Sequence, residues 1–125
     1  MPAERIDVTG ERVRRVLVEF AAVSRECGAP FLLVGGAARE LAAAAGLLDE
    51  RESLMMRGTS DLDFSVVFDS QEALDRFLGH LHMGFEPLTA GDRIHFRHVA
   101  TGIKVDMVPF GPIAPDGRLS IPGGD

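Results

Sequence analysis

Apolar side chains recur along this chain with two different periods, and the changes between them divide it into elements. Val13, Val16, Leu17, Phe20 and Val23 fall three or four positions apart, the spacing of one helical face. Gly28 stands where helices commonly stop, so residues 11–27 are predicted to form an amphipathic helix. The run from Pro30 to Val34 is continuously apolar and ends at Gly35-Gly36. Ala38, Leu41, Ala45 and Leu48 then share a helical face, which predicts strand, tight turn, helix.

Residues 49–60 mix charges with Met55 and Met56, show no period and are predicted as a surface loop. Residues 61–68 alternate. Asp61, Asp63, Ser65 and Val67 face one way, and Leu62, Phe64, Val66 and Phe68 the other, as in a strand with one buried face. Ser70 is a predicted N-cap, Glu72 suits the positive end of the helix dipole, and Leu74, Phe77, Leu78 and Leu81 form the stripe of a further helix before Gly84.

Two short β-rich runs follow, RIHFRHV and IKVDMVPF, joined by Ala100-Thr101-Gly102 and predicted to form a hairpin. Residues 111–125, rich in Pro and Gly, read as an extended tail. The expected architecture is one α/β (α+β) domain over residues 1–125: a mixed sheet of about five strands, helices mainly on one face, and a carboxylate cluster at an exposed edge or end.

Composition narrows the function classes. Cys27 is the only cysteine, so no internal disulfide and no multi-cysteine zinc site can form, and a reducing, cytoplasmic setting is expected. The longest weakly polar stretches, FLLVGGAA and LAAAAGLL, are too short to cross a bilayer, so no membrane partner is expected. Net charge is −6, which argues against a basic face that grips a nucleic-acid backbone.

The candidate chemistry lies on the second strand. Asp61 and Asp63 stand on one face with Cα atoms roughly 7 Å apart, near enough to bend toward a shared cation. Lys104, Asp106, Val108 and Phe110 share a face of the last strand, and Asp106 sits within the apolar run VDMVPF, where an unpaired carboxylate is costly. If the two strands are neighbours, Asp106 joins Asp61 and Asp63, and an all-oxygen set of this kind suits Mg²⁺ or Mn²⁺. Magnesium held by carboxylates takes further ligands from substrate phosphates. Gly35 and Gly36, at a helix start after a strand, leave backbone N–H groups open to a phosphate.

Plainer readings exist for each piece. Gly35-Gly36 is also a good packing turn, and Asp106 could pair with Lys104 or Arg97. Arg39 and Arg57 are phosphate candidates that are equally at home in solvent. His80 and His82 diverge on a helix, and His95 and His98 point to opposite faces of a strand, so neither spacing makes a metal pair.

Taken in order, LLVGGAARE, RGTSDLDFSV and IKVDMVPFGPI resemble the DNA polymerase beta-like nucleotidyltransferase superfamily across residues 30–113. Within it the chain looks most like small bacterial predicted nucleotidyltransferases related to abortive-infection toxins. Arg57, Thr59, Asp61, Asp63, Asp106, Pro109, Phe110 and Gly111 match their pattern.

The resemblance implies transfer of a nucleoside monophosphate from a nucleoside triphosphate to an acceptor hydroxyl, on a small molecule, a protein or an RNA, with release of pyrophosphate. Asp61, Asp63 and Asp106 would hold Mg²⁺ or Mn²⁺, with Asp61 and Asp63 bridging two ions and Asp106 serving the activating one. Gly35, Gly36 and Ser60, with Arg39 and Arg57 as further candidates, would bind the nucleotide. The alternative expectation is an inactive module of the same fold that binds a nucleotide or a protein, such as an antitoxin or a second copy of itself.

Overall fold

The computed structural model describes residues 9–46 and 61–113. Three helices and five strands follow one another as α1 (Glu11–Cys27), β1 (Phe31–Val34), α2 (Gly35–Ala44), β2 (Asp61–Val67), α3 (Gln71–Leu81), β3 (Phe85–Pro87), β4 (His95–His98) and β5 (Lys104–Phe110). The strands form one mixed sheet in the order β1-β2-β5-β4-β3, with β2 and β5 parallel and every other pairing antiparallel. The α/β expectation holds.

Local signals account for the helix ends. Gly28 at φ 62 closes α1 in a left-handed cap and donates to the carbonyls of Arg25 and Ser24. At the start of α3, the Ser70 hydroxyl accepts from the Ala73 N–H at 3.1 Å. α2 is shorter than its apolar pattern: Ala45 is its C-cap and Gly46, at φ 75, turns the chain. Leu48, the predicted loop 49–60 and residues 114–125 of the predicted tail lie outside the described residues. Residues 111–113 form a turn rather than an extended segment, with the Ile113 N–H donating to the Phe68 carbonyl at 3.3 Å.

The helices bury one side of the sheet. Val13, Val16 and Phe20 of α1 and Leu74, Phe77, Leu78 and Leu81 of α3 meet Leu62, Phe64, Val66, Phe96, Val105 and Met107 in a single core, which Ala37 of α2 also joins. Phe20 is its hub, stacked on Phe64 at 3.9 Å between centroids and edge-on to Phe31, Phe77 and Phe85. Burying such a ring contributes about 1.5–3 kcal/mol.

One buried polar contact ties α1 to β4. His98 is fully buried, with its Nε2 3.0 Å from Glu19 Oε1 and its Nδ1 2.8 Å from the Thr101 hydroxyl. The hydrogen bond to His98 holds the Glu19 carboxyl below its ordinary value, against a smaller opposing effect of burial.

Among the described residues, α1 and α3 leave the other side of the sheet uncovered. β2 alternates half-buried and buried residues from Asp61 onward, and β5 alternates in step from Lys104, so both polar faces point away from the helices. No described helix is long and apolar enough to cross a membrane.

Candidate active site

The parallel pairing of β2 with β5 places Asp61 opposite Lys104, Asp63 opposite Asp106 and Ser65 opposite Val108. On the outer side of β5, His95 is opposite Asp106 and Arg97 opposite Lys104; on the outer side of β2, Val34 is opposite Asp63. Side chains of opposed residues rise on the same face, so the open face is organised in rows. One row reads Val34, Asp63, Asp106, His95, and the next, toward the start of β2, reads Asp61, Lys104, Arg97 and then Glu86 of β3. The acids stand on two interior strands rather than at a sheet edge.

Asp63 and Asp106 are directly opposed across the β2–β5 ladder. Burial raises the Asp63 pKa above its ordinary value. The neighbouring Asp106 charge, a hydrogen bond between the two carboxyls and the Asp61 charge raise it further. Both other predicted acids thus act on Asp63. As they stand, no three His, Cys, Asp or Glu side chains among the described residues are arranged to hold a metal ion. Asp63 and Asp106 converge, and Asp61 lies one row away.

Gly35 closes the site on the β1 side. Its φ is 72, and a Cβ built on it would lie 2.5 Å from Asp63 Oδ2. The backbone at the start of α2 therefore lies directly against the carboxyl, which only glycine allows. No side chain caps the first turn of α2, whose second residue is Gly36. The glycines and the acids, far apart in sequence, occupy one corner of the molecule. Arg39 is exposed on α2 four positions after Gly35, hence on the same helical face. Arg57 and Ser60 lie outside the described residues.

Neither Lys104 nor Arg97 makes an ion pair with a described residue, so Asp106 is not neutralised by either. His95 was not among the expected site residues, yet it flanks Asp106 on the open face. Asp92 fixes it: Asp92 Oδ2 lies 2.9 Å from His95 Nδ1, and Oδ1 accepts from the backbone N–H groups of Ile94 and His95. Burial opposes the charged form of Asp92, but these hydrogen bonds together outweigh it and hold the carboxyl below its ordinary value. Its sequence signal was weak, since one exposed strand histidine becomes informative only when the neighbouring strand is known.

Beyond the acids the open face turns apolar, with Leu32, Val34, Val108 and Phe110 all partly exposed. The chain matches no protein-family model, no curated protein and no solved structure.

Proposed function

We propose that this domain is a metal-dependent nucleotidyltransferase whose centre is the Asp63–Asp106 pair. The observation that carries the reading is that two carboxyls from distant strands are held side by side, raising the pKa of one, while a glycine backbone at a helix start lies against them. Folding alone gains nothing from this repulsion, and a cation relieves it.

The donors are all carboxylate oxygens, which fit Mg²⁺ or Mn²⁺, with Asp63 and Asp106 as principal ligands and Asp61 recruited from the adjacent row. When bound, a divalent ion supplies positive charge at the reacting phosphate and lowers the barrier to displacement. The chain's own groups do the rest. Backbone N–H groups at the start of α2, next to Gly35 and Gly36, hold phosphate oxygens, and Arg39 reaches the same side. Arg57 and Ser60 are proposed as further nucleotide contacts. An acceptor hydroxyl attacks the α-phosphorus, the bond to the β-phosphate oxygen breaks, pyrophosphate leaves, and the hydroxyl proton passes to the Asp106 carboxylate.

The test is incubation with each α-labelled nucleoside triphosphate, Mg²⁺ and a cell extract. Label should move to an acceptor with wild type and not with Asp63→Asn or Asp106→Asn; transfer that survives both substitutions refutes the assignment. The position of Asp61 outside the convergent pair favours a second reading, a nucleotide-binding module without catalysis that works with a protein partner such as an antitoxin. That reading expects nucleotide-dependent stabilisation with no transfer of label.

A further inference from the structure

The row beside the acidic pair contains two cations that the reaction above leaves unused. Lys104 is opposed by Asp61 on β2 and by Arg97 on β4, and both basic side chains are exposed on the open face. Like charges directly opposed across an antiparallel pair are unfavourable. Asp61 and Glu86 flank the two cations, yet neither Lys104 nor Arg97 forms an ion pair with a described residue. Two exposed cations held next to each other, neither engaged in an ion pair with a described residue, suit one ligand that carries several negative charges.

From this geometry we infer that Lys104 and Arg97 form a polyphosphate clamp, which takes the β- and γ-phosphates of the nucleotide and the pyrophosphate that leaves. The inference rests on the nucleotidyltransferase reading of the acidic pair. Rows on one face of a strand are separated by roughly 7 Å, within the reach of long basic side chains lying along the sheet. The planar guanidinium of Arg97 can engage two phosphate oxygens at once, and Lys104 adds a mobile point charge. The Asp63–Asp106 pair in the adjacent row keeps anions away from the clamp until a cation neutralises it, so filling is ordered: metal first, polyphosphate second.

Inorganic pyrophosphate is the probe, titrated calorimetrically into wild type, Lys104→Met and Arg97→Met with and without millimolar Mg²⁺. Wild type should bind it with Mg²⁺ and far more weakly without. Each Met variant should lose about tenfold in affinity, the size of a lost charge-assisted hydrogen bond, while keeping its melting temperature and its response to Mg²⁺ alone. Lys104→Arg, which retains the charge, should restore most of the binding. Pyrophosphate binding equal to wild type in both Met variants overturns the clamp, as does an absence of binding by wild type. The failure of the underlying reading looks different: no label would move from any nucleotide, whatever residues 97 and 104 are.

Discussion

Asp63 and Asp106 are directly opposed in the parallel β2–β5 ladder, so two acids separated by a helix and two strands in sequence meet on one open face. Desolvation first, then the Asp106 charge and hydrogen bond and the Asp61 charge, raise the Asp63 pKa above 3.8. A carboxyl whose pKa is raised by folding stabilises the protein below its unfolded value and loses that contribution as pH rises through the folded value. Metal-free protein should therefore weaken at this site as pH climbs through that interval. Asp63→Asn should flatten the dependence and raise stability near neutral pH by about 0.2–1 kcal/mol. Thermal melts across pH in the presence of a chelator check this, and a lower melting temperature for the variant near neutral pH contradicts it.

With Mg²⁺ and a nucleoside triphosphate the sign reverses. Wild type should gain melting temperature from the pair of ligands together, by mass action on the folded state, and Asp63→Asn or Asp106→Ala should gain none. A nucleotide-dependent shift that persists in both variants removes the acids from the binding site.

Gly35 offers a steric test. An alanine there would carry its Cβ into Asp63 Oδ2 and would have to adopt a φ of 72. Gly35→Ala should cost about 1–3 kcal/mol in a denaturant titration and abolish the metal-dependent nucleotide shift. Gly91, also at positive φ but with nothing within 4 Å of its Cβ, is the control: Gly91→Ala should be strained yet leave the nucleotide response intact.

The Glu19–His98 contact predicts an acid limb. The carboxyl is held below its ordinary value of 4.5 first by the hydrogen bond to His98. Its contribution is then complete above that value and disappears as pH falls through the lowered one. Glu19→Gln should lose stability near neutral pH and show a shallower decline in acid, measured by chemical denaturation at a series of pH values.

Much of this fold could be read from side-chain periods. The stripes of α1 and α3 and the alternation of β2 each marked the face turned to the core, although in α1 Leu17 and Val23 are only half-buried and Ser24 is buried, because a segment with one buried face leaves its period in the sequence. β3 left no such mark: Phe85-Glu86-Pro87 is too short for a period, contains a proline, and is a strand only through its pairing with β4. Period also tells which residues share a face, not which strand is the neighbour. Asp61, Asp63 and Asp106 were legible as outward-facing acids, and their meeting depended on β5 inserting between β2 and β4. The β4–β5 hairpin was expected, but its register, which period does not set, is what brings His95 opposite Asp106 and Arg97 opposite Lys104.

Phe20 links that core to the site, since it stacks on Phe64, the residue next to Asp63. Phe20→Ala should cost about 3–5 kcal/mol in an equilibrium unfolding titration. A loss below about 1 kcal/mol would mean that the ring stack does not hold α1 against the sheet.

The parallel ladder also sets when the acids can meet. No tight turn can join parallel strands, so β2 and β5 find each other only after α3, β3 and β4 have been made, the kind of distant closure that folds slowly. A growing polypeptide on the ribosome thus carries Asp61 and Asp63 for some time without their third companion. The acidic pair is completed only by the arrival of β5, and synthesis passes through no earlier stage at which the growing chain owns it.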